Sequence, residues 1–380
     1  MSKDINCNDA ETIKHENSND ILDYIKELGE LATGDETLSK YSGILVKFLT
    51  EQKVKCFDFR SSSDLKYIGK GSFSTVSSVI FEGRIYALKS LNNNIQMNKT
   101  QLKQFTRELM NLYEANHANI IKLHGISRGP MSSNFMLVLQ FANGGTLFEY
   151  LGKMRRGDLY QISWNILIRT AKGITNGLTH LHKNGVIHRD LHSKNILIHD
   201  DEALIADFGL SKRNDELSTS TNNNYCAVGY TDPLFLLQGT KRKRDDKSDI
   251  YSLGVLLWEL TSGIPPFHDL PIFRKIIQIS NNIRPNIVDG TPPAYSDMFI
   301  KCWSAEPNDR PSLNEISRKL ENLSTESIEF ITNKITHNQI ETEQHDSKSL
   351  DQEHNRANNS SINNNSFTDV VDNETIGNPS

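Results

Sequence analysis

The stretch HRDLHSKN, residues 188–195, is the segment of this chain that is most informative about its fold. Chance does not readily produce the whole string. It places the carboxylate of Asp190 and the amide of Asn195 five positions apart, after an apolar helical pattern and before an apolar run. A carboxylate can orient and deprotonate an attacking hydroxyl, and an amide oxygen can bind a hard cation such as Mg²⁺. The tripeptide DFG, residues 207–209, follows closely, and Asp207 adds a second oxygen ligand. The two segments therefore predict a cation site beside a carboxylate that activates a hydroxyl.

Towards the N terminus, residues 69–76 read GKGSFSTV between two predicted strands. Glycine lets the backbone approach a phosphate closely, and the free N–H groups of such a loop can bind phosphate oxygens. Taken alone, the segment is as typical of a glycine-rich hairpin turn. A dinucleotide-binding fold is disfavoured, because that fold needs a helix where this chain has a second strand.

A lysine and a glutamate lie between these two segments. Lys89 ends a predicted strand, and Glu108 follows nineteen residues later inside a helical pattern. A lysine can neutralise phosphate charge, and a glutamate can hold that lysine in place. For each residue alone, the alternative is a solvated surface charge.

These motifs occur in the order and near the spacings of a eukaryotic-type protein kinase catalytic domain, which residues 61–325 resemble. Further matches are DIYSLG at 249–254 and NDRP at 308–311, and the wording is most similar to the tyrosine-kinase-like branch of serine/threonine kinases. The resemblance implies an α+β, protein-kinase-like bilobal fold. An N-lobe of antiparallel β-sheet plus one helix would precede a mainly α-helical C-lobe, with ATP bound between them.

The resemblance also implies a role for each matching residue. Asp190 would be the catalytic base, Lys89 would contact phosphates and pair with Glu108, and Asn195 and Asp207 would ligate Mg²⁺. Leu139 would be the gatekeeper residue beside adenine, with the hinge at 140–142. The implied ATP-binding positions are Ile68, Gly69, Lys70, Gly71, Ser72, Phe73, Val76, Ala87, Lys89, Leu139, Gln140, Ala142 and Leu197.

The function implied is transfer of the γ-phosphoryl group of ATP, with Mg²⁺, to serine or threonine hydroxyls of a protein substrate. A dual-specificity or tyrosine kinase is one alternative. A kinase-like scaffold without activity is another, but such scaffolds usually lack one of the five charged or amide residues named above. A small-molecule phosphotransferase is disfavoured by the DFG and DIYSLG motifs.

Three departures from the family pattern bear on the hydroxyl specificity and on one buried charge. His192 stands where many serine/threonine kinases have a lysine, and Ala227 where they have a threonine near the catalytic aspartate. Leu234 replaces the acidic residue that usually pairs with a buried arginine, here Arg310. An unpaired buried charge is costly. Arg310 is therefore expected to be partly exposed or bonded to a backbone carbonyl.

The segment between Asp207 and the APE-like motif at 232–234 is rich in hydroxyl groups. In the family, an arginine placed like Arg189 can pair with a phosphorylated activation segment. An upstream activating kinase is therefore a predicted partner, although a polar flexible loop is the alternative. The candidate regulatory residues are Arg189, Ser218, Thr219, Ser220, Thr221 and Tyr225.

Composition limits the other functional classes. The 380 residues carry a net charge of −5, and residues 326–380 hold ten acidic and three basic residues, so the remaining chain is nearly neutral. That balance does not support nucleic-acid binding. The start has no apolar signal region, and no apolar run could span a membrane, so a cytoplasmic location is expected. The basic run at 241–244 would be a nuclear import signal, a docking site for an acidic substrate or, more simply, a solvated loop between helices.

The predicted domains are an N-terminal extension at 1–60, a kinase domain at 61–325 and a polar, largely disordered tail at 326–380. The kinase domain would divide into an N-lobe at 61–141 and a C-lobe at 142–325. Two helical stripes lie in the extension, the second through Tyr41, Leu45, Phe48 and Leu49. They would pack on the following domain or form a partner-binding helix pair. A short helix is predicted at 328–335.

Overall fold

The computed structural model describes residues 21–23, 25–26, 36–70, 74–91, 99–129, 135–213, 225–238 and 244–335. The chain divides into two units, Met1–Lys334 and Ile335–Ser380, and the elements below belong to the first. Within the described ranges, no helix has both the length and the apolar content that crossing a membrane requires.

A six-stranded sheet forms the first part of the described chain. Its strands are β1 (Cys56–Asp58), β2 (Ser63–Lys70), β3 (Ser74–Phe81), β4 (Arg84–Leu91), β5 (Leu123–Arg128) and β6 (Phe135–Gln140). They lie in the order β1-β5-β6-β4-β3-β2, with β1 parallel to β5 and the other neighbours antiparallel. The β3–β4 hairpin turns at Glu82 and Gly83, both at positive φ, as a two-residue turn between twisted strands requires.

Alternating side chains of this sheet build an apolar core. Because successive residues of a strand point to opposite faces, residues two apart on β3, β4 and β6 share the buried face. The cluster consists of Phe57, Val79, Phe81, Tyr86, Leu88, Met136 and Val138. Phe57 of β1 is part of it, so the short first strand is held by side-chain packing as well as by its ladder.

Two helices accompany the sheet, α1 (Glu36–Glu51) and α2 (Lys99–Glu114), and they pack against each other. Leu45, Phe48 and Leu49 are buried at helical spacing on α1. The predicted second stripe is therefore a helix that packs on the domain. Residues 21–23 and 25–26 are also helical.

The remaining described chain is mainly helical, which confirms the predicted α+β architecture. Its helices are α3 (Leu147–Lys153), α4 (Trp164–Lys183), α5 (Pro233–Gln238), α6 (Asp246–Ser262), α7 (Ile272–Ser280), α8 (Pro293–Cys302) and α9 (Leu313–Leu323). Every residue of α6 from Ser248 onward is buried, so this helix lies in the core. Asp245 caps its start, and Gly263, at φ 73°, ends it.

Short strands connect the helices and shape the site. They are β7 (Gly145–Thr146), β8 (Arg155–Arg156), β9 (Leu159–Ser163), β10 (Val186–Ile187), β11 (Ile196–His199), β12 (Glu202–Ile205), β13 (Lys212–Arg213) and β14 (Phe330–Lys334). The β11–β12 hairpin turns at Asp200 and Asp201, both at positive φ. This hairpin joins the HRDLHSKN segment to the DFG segment.

The predicted helix at 328–335 was wrong, because this segment forms β14. It pairs antiparallel with β9, from Phe330 opposite Ser163 to Lys334 opposite Leu159. Ile331 is buried and Phe330 is exposed, the alternation of a strand with one covered face. The strand lies beyond residue 325, the predicted end of the kinase domain. The sequence analysis likewise did not identify β1, which lies within the predicted N-terminal extension.

Candidate active site

A carboxylate of α6 binds the backbone of the HRDLHSKN segment. Asp249 accepts hydrogen bonds from the backbone nitrogens of His188 and Arg189, both at 2.8 Å, and lies 2.9 Å from Nε2 of His182. Burial alone would raise the pKa of Asp249, but the contact with His182 and these backbone bonds hold the pKa below its usual value. Arg189 has positive φ, so the chain turns sharply before Asp190. Asp249 therefore fixes the backbone that presents the predicted base.

Asp190 and Asn195 are brought together within this loop. The Asn195 amide nitrogen donates to the backbone oxygen of Asp190 at 2.8 Å and to its carboxylate at 3.2 Å. His192 Nε2 lies 3.7 Å from the same carboxylate. Burial alone would raise the pKa of Asp190, but His192 holds the pKa below its usual value. Asp190 is therefore ionised at neutral pH.

Asp207 and Phe208 follow β12 and face the loop. The Phe208 ring is fully buried and meets the His188 ring edge-on at 5.4 Å. Nε2 of His188 lies 3.0 Å from the carbonyl oxygen of Ala206. Asp207 takes positive φ, and its Oδ1 accepts from the backbone nitrogen of Gly209 at 3.2 Å. These contacts aim the Asp207 carboxylate at Lys89.

Lys89 of β4 joins Asp207 to Glu108 of α2. Its ammonium lies 2.6 Å from Glu108 Oε1 and 2.8 Å from Asp207 Oδ1. Burial alone would lower the pKa of Lys89, but the two carboxylates raise the pKa well above its usual value. For Asp207, burial acts to raise the pKa, and the Lys89 ammonium outweighs it, so that the pKa is about 2. Burial raises the pKa of Glu108. The sheet, a helix and the DFG segment thus meet at one charged group.

Two oxygen donors at this junction fit a hard cation. Asn195 uses its amide nitrogen within the loop, which leaves the amide oxygen as a ligand. Asp207 uses Oδ1 for Lys89 and Gly209, and its side chain is 40% exposed, which leaves Oδ2 accessible. Mg²⁺ is usually held by one or two protein oxygens together with phosphate and water oxygens. The donor set therefore suits Mg²⁺ with a nucleotide.

The predicted adenine pocket residues share one face of the sheet. In the strand registers, Val76 lies opposite Lys89, and Ala87 lies opposite Leu139. Because Ala87 and Lys89 are two apart, all four side chains project from the same face. Leu197 of β11 lies opposite Thr146, shortly after the predicted hinge.

Other residues predicted to contact the nucleotide lie on the same sheet or directly after it. Ile68, Gly69 and Lys70 end β2, where the Ile68 side chain is half exposed. Gln140 ends β6 opposite Tyr86, and Ala142 follows it in the connection to β7. Gly71, Ser72 and Phe73 lie outside the described residues.

Arg310 is buried, so of the two alternatives that the sequence left open, partial exposure does not occur. Its Nη1 lies 2.7 Å from Oδ2 of Asp232, and both side chains are almost completely buried. The expected bonds to backbone carbonyls are present: the guanidinium donates to Ser304, Lys247 and Ala305. Asp232 was not predicted as the partner of Arg310. The available signal was a carboxylate two positions before Leu234.

A buried hydrogen-bond network connects the catalytic loop to α6. The Tyr230 hydroxyl donates to Glu259 Oε2 at 2.7 Å and lies 3.1 Å from Ser193 Oγ. The His192 ring is 5.9 Å from the Tyr230 ring. Burial raises the pKa of Glu259 to about 7, although the bond from Tyr230 opposes that rise. The sequence analysis gave Glu259 no role.

The candidate regulatory residues are described only in part. Ser218, Thr219, Ser220 and Thr221 lie outside the described residues, and Tyr225 is described only as the first residue of a 3-10 helix to Tyr230. Arg189 is placed next to Asp190, and its carbonyl oxygen accepts from the guanidinium of Arg244. Arg244 also stacks over the Phe235 ring at 4.1 Å. This last residue of the basic run is therefore packed against the catalytic loop, whereas 241–243 lie outside the described residues.

Comparison with known proteins agrees with this geometry. Residues 63–320 match the family model described as protein tyrosine and serine/threonine kinase. A probable serine/threonine-protein kinase of Dictyostelium discoideum is 31% identical over 67% of this chain and 19% of its own length. Serine/threonine-protein kinase VIK of Arabidopsis thaliana is 30% identical over 69% and 60%, respectively. Serine/threonine-protein kinase TNNI3K of Mus musculus is 31% identical over 67% and 30%.

Each match covers a larger share of this chain than of the relative. The chain spans less than two thirds of the length of each of these relatives. The family model, in contrast, covers more than half of this chain, from β2 to α9. The chain therefore belongs to the protein tyrosine and serine/threonine kinase family.

Proposed function

We propose that this protein is an ATP-dependent protein kinase that phosphorylates serine or threonine hydroxyls of protein substrates. The observation that carries the proposal is the junction at Lys89, whose ammonium binds Glu108 at 2.6 Å and Asp207 at 2.8 Å. Asp190 and Asn195 lie bonded together in the adjacent loop. These contacts join Lys89, Glu108 and Asp207 in one group and Asp190 and Asn195 in another, which supports the roles that the family chemistry gives to the five residues.

The proposed roles follow from these contacts. Bound Mg-ATP would supply the phosphoryl group and the metal charge that neutralises it. Asn195 and Asp207 would hold the cation through their available oxygens, and Lys89, kept in place by Glu108, would neutralise phosphate charge. Asp190, ionised and fixed by Asn195, would orient the substrate hydroxyl and accept its proton. The apolar walls around the adenine ring of ATP would be formed by Val76, Ala87, Leu139 and Leu197.

The preference for serine or threonine rests on the relatives, which are named serine/threonine-protein kinases. A tyrosine or dual specificity is the alternative. It is kept because His192 and Ala227 replace residues typical of serine/threonine kinases. The other alternative, a kinase-like scaffold without activity, is not favoured, because none of the contacts of the five site residues supports it.

The domain assignment and the regulation belong to the same proposal. The kinase domain would occupy 61–325, with β1 and β14 added at its two ends.

An upstream kinase would phosphorylate 218–221 or Tyr225, and Arg189 would bind the phosphate. Replacing those five hydroxyl residues with alanine (with phenylalanine for Tyr225) should then abolish activation by the upstream kinase; unchanged activity would refute regulation at these residues. The cytoplasmic location and nuclear entry through 241–244 stay predictions.

The deciding experiment measures phosphate transfer from Mg-ATP to a mixed protein substrate, followed by phosphoamino-acid analysis. Asp190→Asn should lower the rate by about 10²–10³-fold or more, because it removes the proton acceptor. Asp297→Asn, an exposed carboxylate on α8, is the matched control and should keep full activity. Labelled phosphoserine or phosphothreonine would support the proposed specificity. No transfer by the wild type, even after incubation with an activating kinase, would refute the kinase proposal.

A further inference from the structure

Helix α1 contacts α2 along most of the length of α2. Near the start of α2, the Lys103 ammonium lies over the Tyr41 ring, 5.6 Å from its centroid. Near its end, the Tyr113 ring meets the Phe48 ring edge-on at 5.2 Å, and the Tyr113 hydroxyl donates to the Gln52 carbonyl oxygen at 3.2 Å. Ten residues of helix span about 15 Å, so these contacts hold two separated points of α2.

The contact face of α1 is apolar and buried. Leu45, Phe48 and Leu49 are 0%, 9% and 5% exposed. Apolar area removed from water stabilises this packing. The stripe that the sequence offered as a partner-binding surface is therefore already covered by contacts within the chain.

Strand β1 anchors α1 to the sheet. Only a short connection separates the end of α1 at Glu51 from β1 at Cys56. Phe57 of β1 lies 5.0 Å from the Phe81 ring, and its carbonyl oxygen accepts from the Ser127 hydroxyl at 2.9 Å. Strand β1, which is fixed in the sheet core, therefore tethers the C-terminal end of α1 to the sheet.

The helix that α1 contacts is the one that carries Glu108. Glu108 lies on α2 between the two points held by α1, and its side chain is 3% exposed. Lys89 has a second carboxylate within reach, Asp207 at 2.8 Å. If α2 moved away, Lys89 would remain paired with Asp207, and the junction would lose the residue that orients its lysine. The position of α2 thus decides whether the catalytic lysine is held correctly.

We propose that α1 is a positioning element of the catalytic site, which acts through the Phe48–Tyr113 contact to keep Glu108 paired with Lys89. The proposal rests on the proposed kinase function and assigns part of it to the N-terminal extension. Phe48 is a positioning residue, since it lies on α1 and reaches the catalytic groups only through α2.

The kinetic test compares Phe48→Ala and the milder Phe48→Leu with Lys47→Ala in the full chain. Lys47 is the matched control, because it lies on the same helix with its side chain 74% exposed. Phe48→Ala should lower kcat about tenfold and leave KM for the protein substrate unchanged, a size typical of coupling through packed elements. Lys47→Ala should leave both unchanged. Equal kinetics in the Phe48 and Lys47 variants would overturn the proposal.

A double mutant separates positioning from general stability. In the Glu108→Gln background, Phe48→Ala should change kcat by less than about twofold, because the residue through which α1 acts has already lost its charge. If the two effects multiply, α1 contributes to stability alone and the proposal is wrong.

Hydrogen exchange provides a measurement that needs no activity. Phe48→Ala should speed exchange of the α2 amides by about tenfold or more, while the α6 amides and the Lys47→Ala protein keep wild-type rates. Unchanged α2 exchange would overturn the proposal even if the protein proves to be a kinase. If the wild type transfers no phosphate, the proposed function fails, and the exchange data still decide whether α1 holds α2.

Discussion

Glu259 is a buried acid that the Tyr230 hydroxyl connects to the HRDLHSKN loop. It is 1% exposed and bonded to the Tyr230 hydroxyl, and burial raises its pKa to about 7. Its ordinary pKa is 4.5, so between pH 4.5 and 7 the folded protein binds a proton at this residue that the unfolded chain releases. For this group, the free energy of unfolding falls as pH rises through that window and is constant above it.

The Glu259→Gln variant should remove this pH dependence. Glutamine stays neutral and can still accept the Tyr230 hydrogen bond, so the variant should be more stable than the wild type at pH 8 by up to about 3 kcal/mol. The difference should vanish near pH 4.5. Urea unfolding of both proteins from pH 4.5 to 8 measures it. Parallel curves for the two proteins would show that folding does not raise the pKa of Glu259.

At the scale of elements, Asp232 connects the segment before α5 to the loop that precedes α9. Its ion pair with Arg310 is buried, and the Arg310 guanidinium also donates hydrogen bonds to the carbonyl oxygens of Ser304 and Ala305. The acid that the family places at position 234 has thus been replaced by one at 232. The Arg310 guanidinium is satisfied in this chain, because the carboxylate two residues before Leu234 reaches it.

Asp232→Ala should destabilise the protein by about 3–5 kcal/mol, because it leaves Arg310 buried without its charged partner. Adding Leu234→Glu to that variant should recover part of the loss, since it restores a carboxylate at the family position. Asp297→Ala, on the exposed side of α8, should change stability by less than about 0.5 kcal/mol. Urea unfolding provides the comparison. A loss below about 1 kcal/mol for Asp232→Ala would contradict this account.

Strand β14 offers a second test at this scale, because its two faces differ in burial. Ile331 is 1% exposed, whereas its neighbour Phe330 is 47% exposed. Ile331→Ala should lower the free energy of unfolding by about 2–5 kcal/mol. Phe330→Ala, the larger truncation, should have the smaller effect. Similar losses for both variants would mean that β14 does not contribute to the folded core through its buried face.

At the scale of the whole molecule, the proposed nucleotide site draws its residues from both parts of the fold. Ala87 and Leu139 come from the six-stranded sheet, and Asn195 and Asp207 come from the segments around the β11–β12 hairpin. A ligand bound at this junction stabilises only the folded chain. The proposed ATP site can therefore be tested by unfolding, independently of any protein substrate.

Mg-ATP at about 100 times its Kd should raise the free energy of unfolding by about 2.7 kcal/mol. ATP with a chelator should raise it less. In Asp207→Asn, the difference between these two conditions should shrink, because one cation ligand loses its charge, whereas Asp297→Asn should behave as the wild type. Thermal unfolding with and without Mg²⁺ measures both. An undiminished Mg²⁺ effect in Asp207→Asn would show that Asp207 is not a ligand.

The sequence alone predicted the features that depend on local chemistry. The strands around Val76, Ala87 and Leu139 follow from alternating apolar residues, and the helix around Phe48 follows from helical spacing. HRDLHSKN and DFG indicated a cation site and a hydroxyl-activating carboxylate by their residue types and spacing, and the resemblance to protein kinases implied the other site residues. None of these inferences requires knowledge of a distant partner.

Only the tertiary structure decided which distant groups meet. Asp232 with Arg310, Asp249 beneath the HRDLHSKN loop, β1 beside β5, β14 beside β9 and α1 against α2 all join segments far apart in the chain. A short strand such as β1 has too few residues to show a pattern, and a buried carboxylate looks like any surface carboxylate in sequence. Their pairing energy arises only when folding removes both partners from water and brings them into contact, which local spacing does not record.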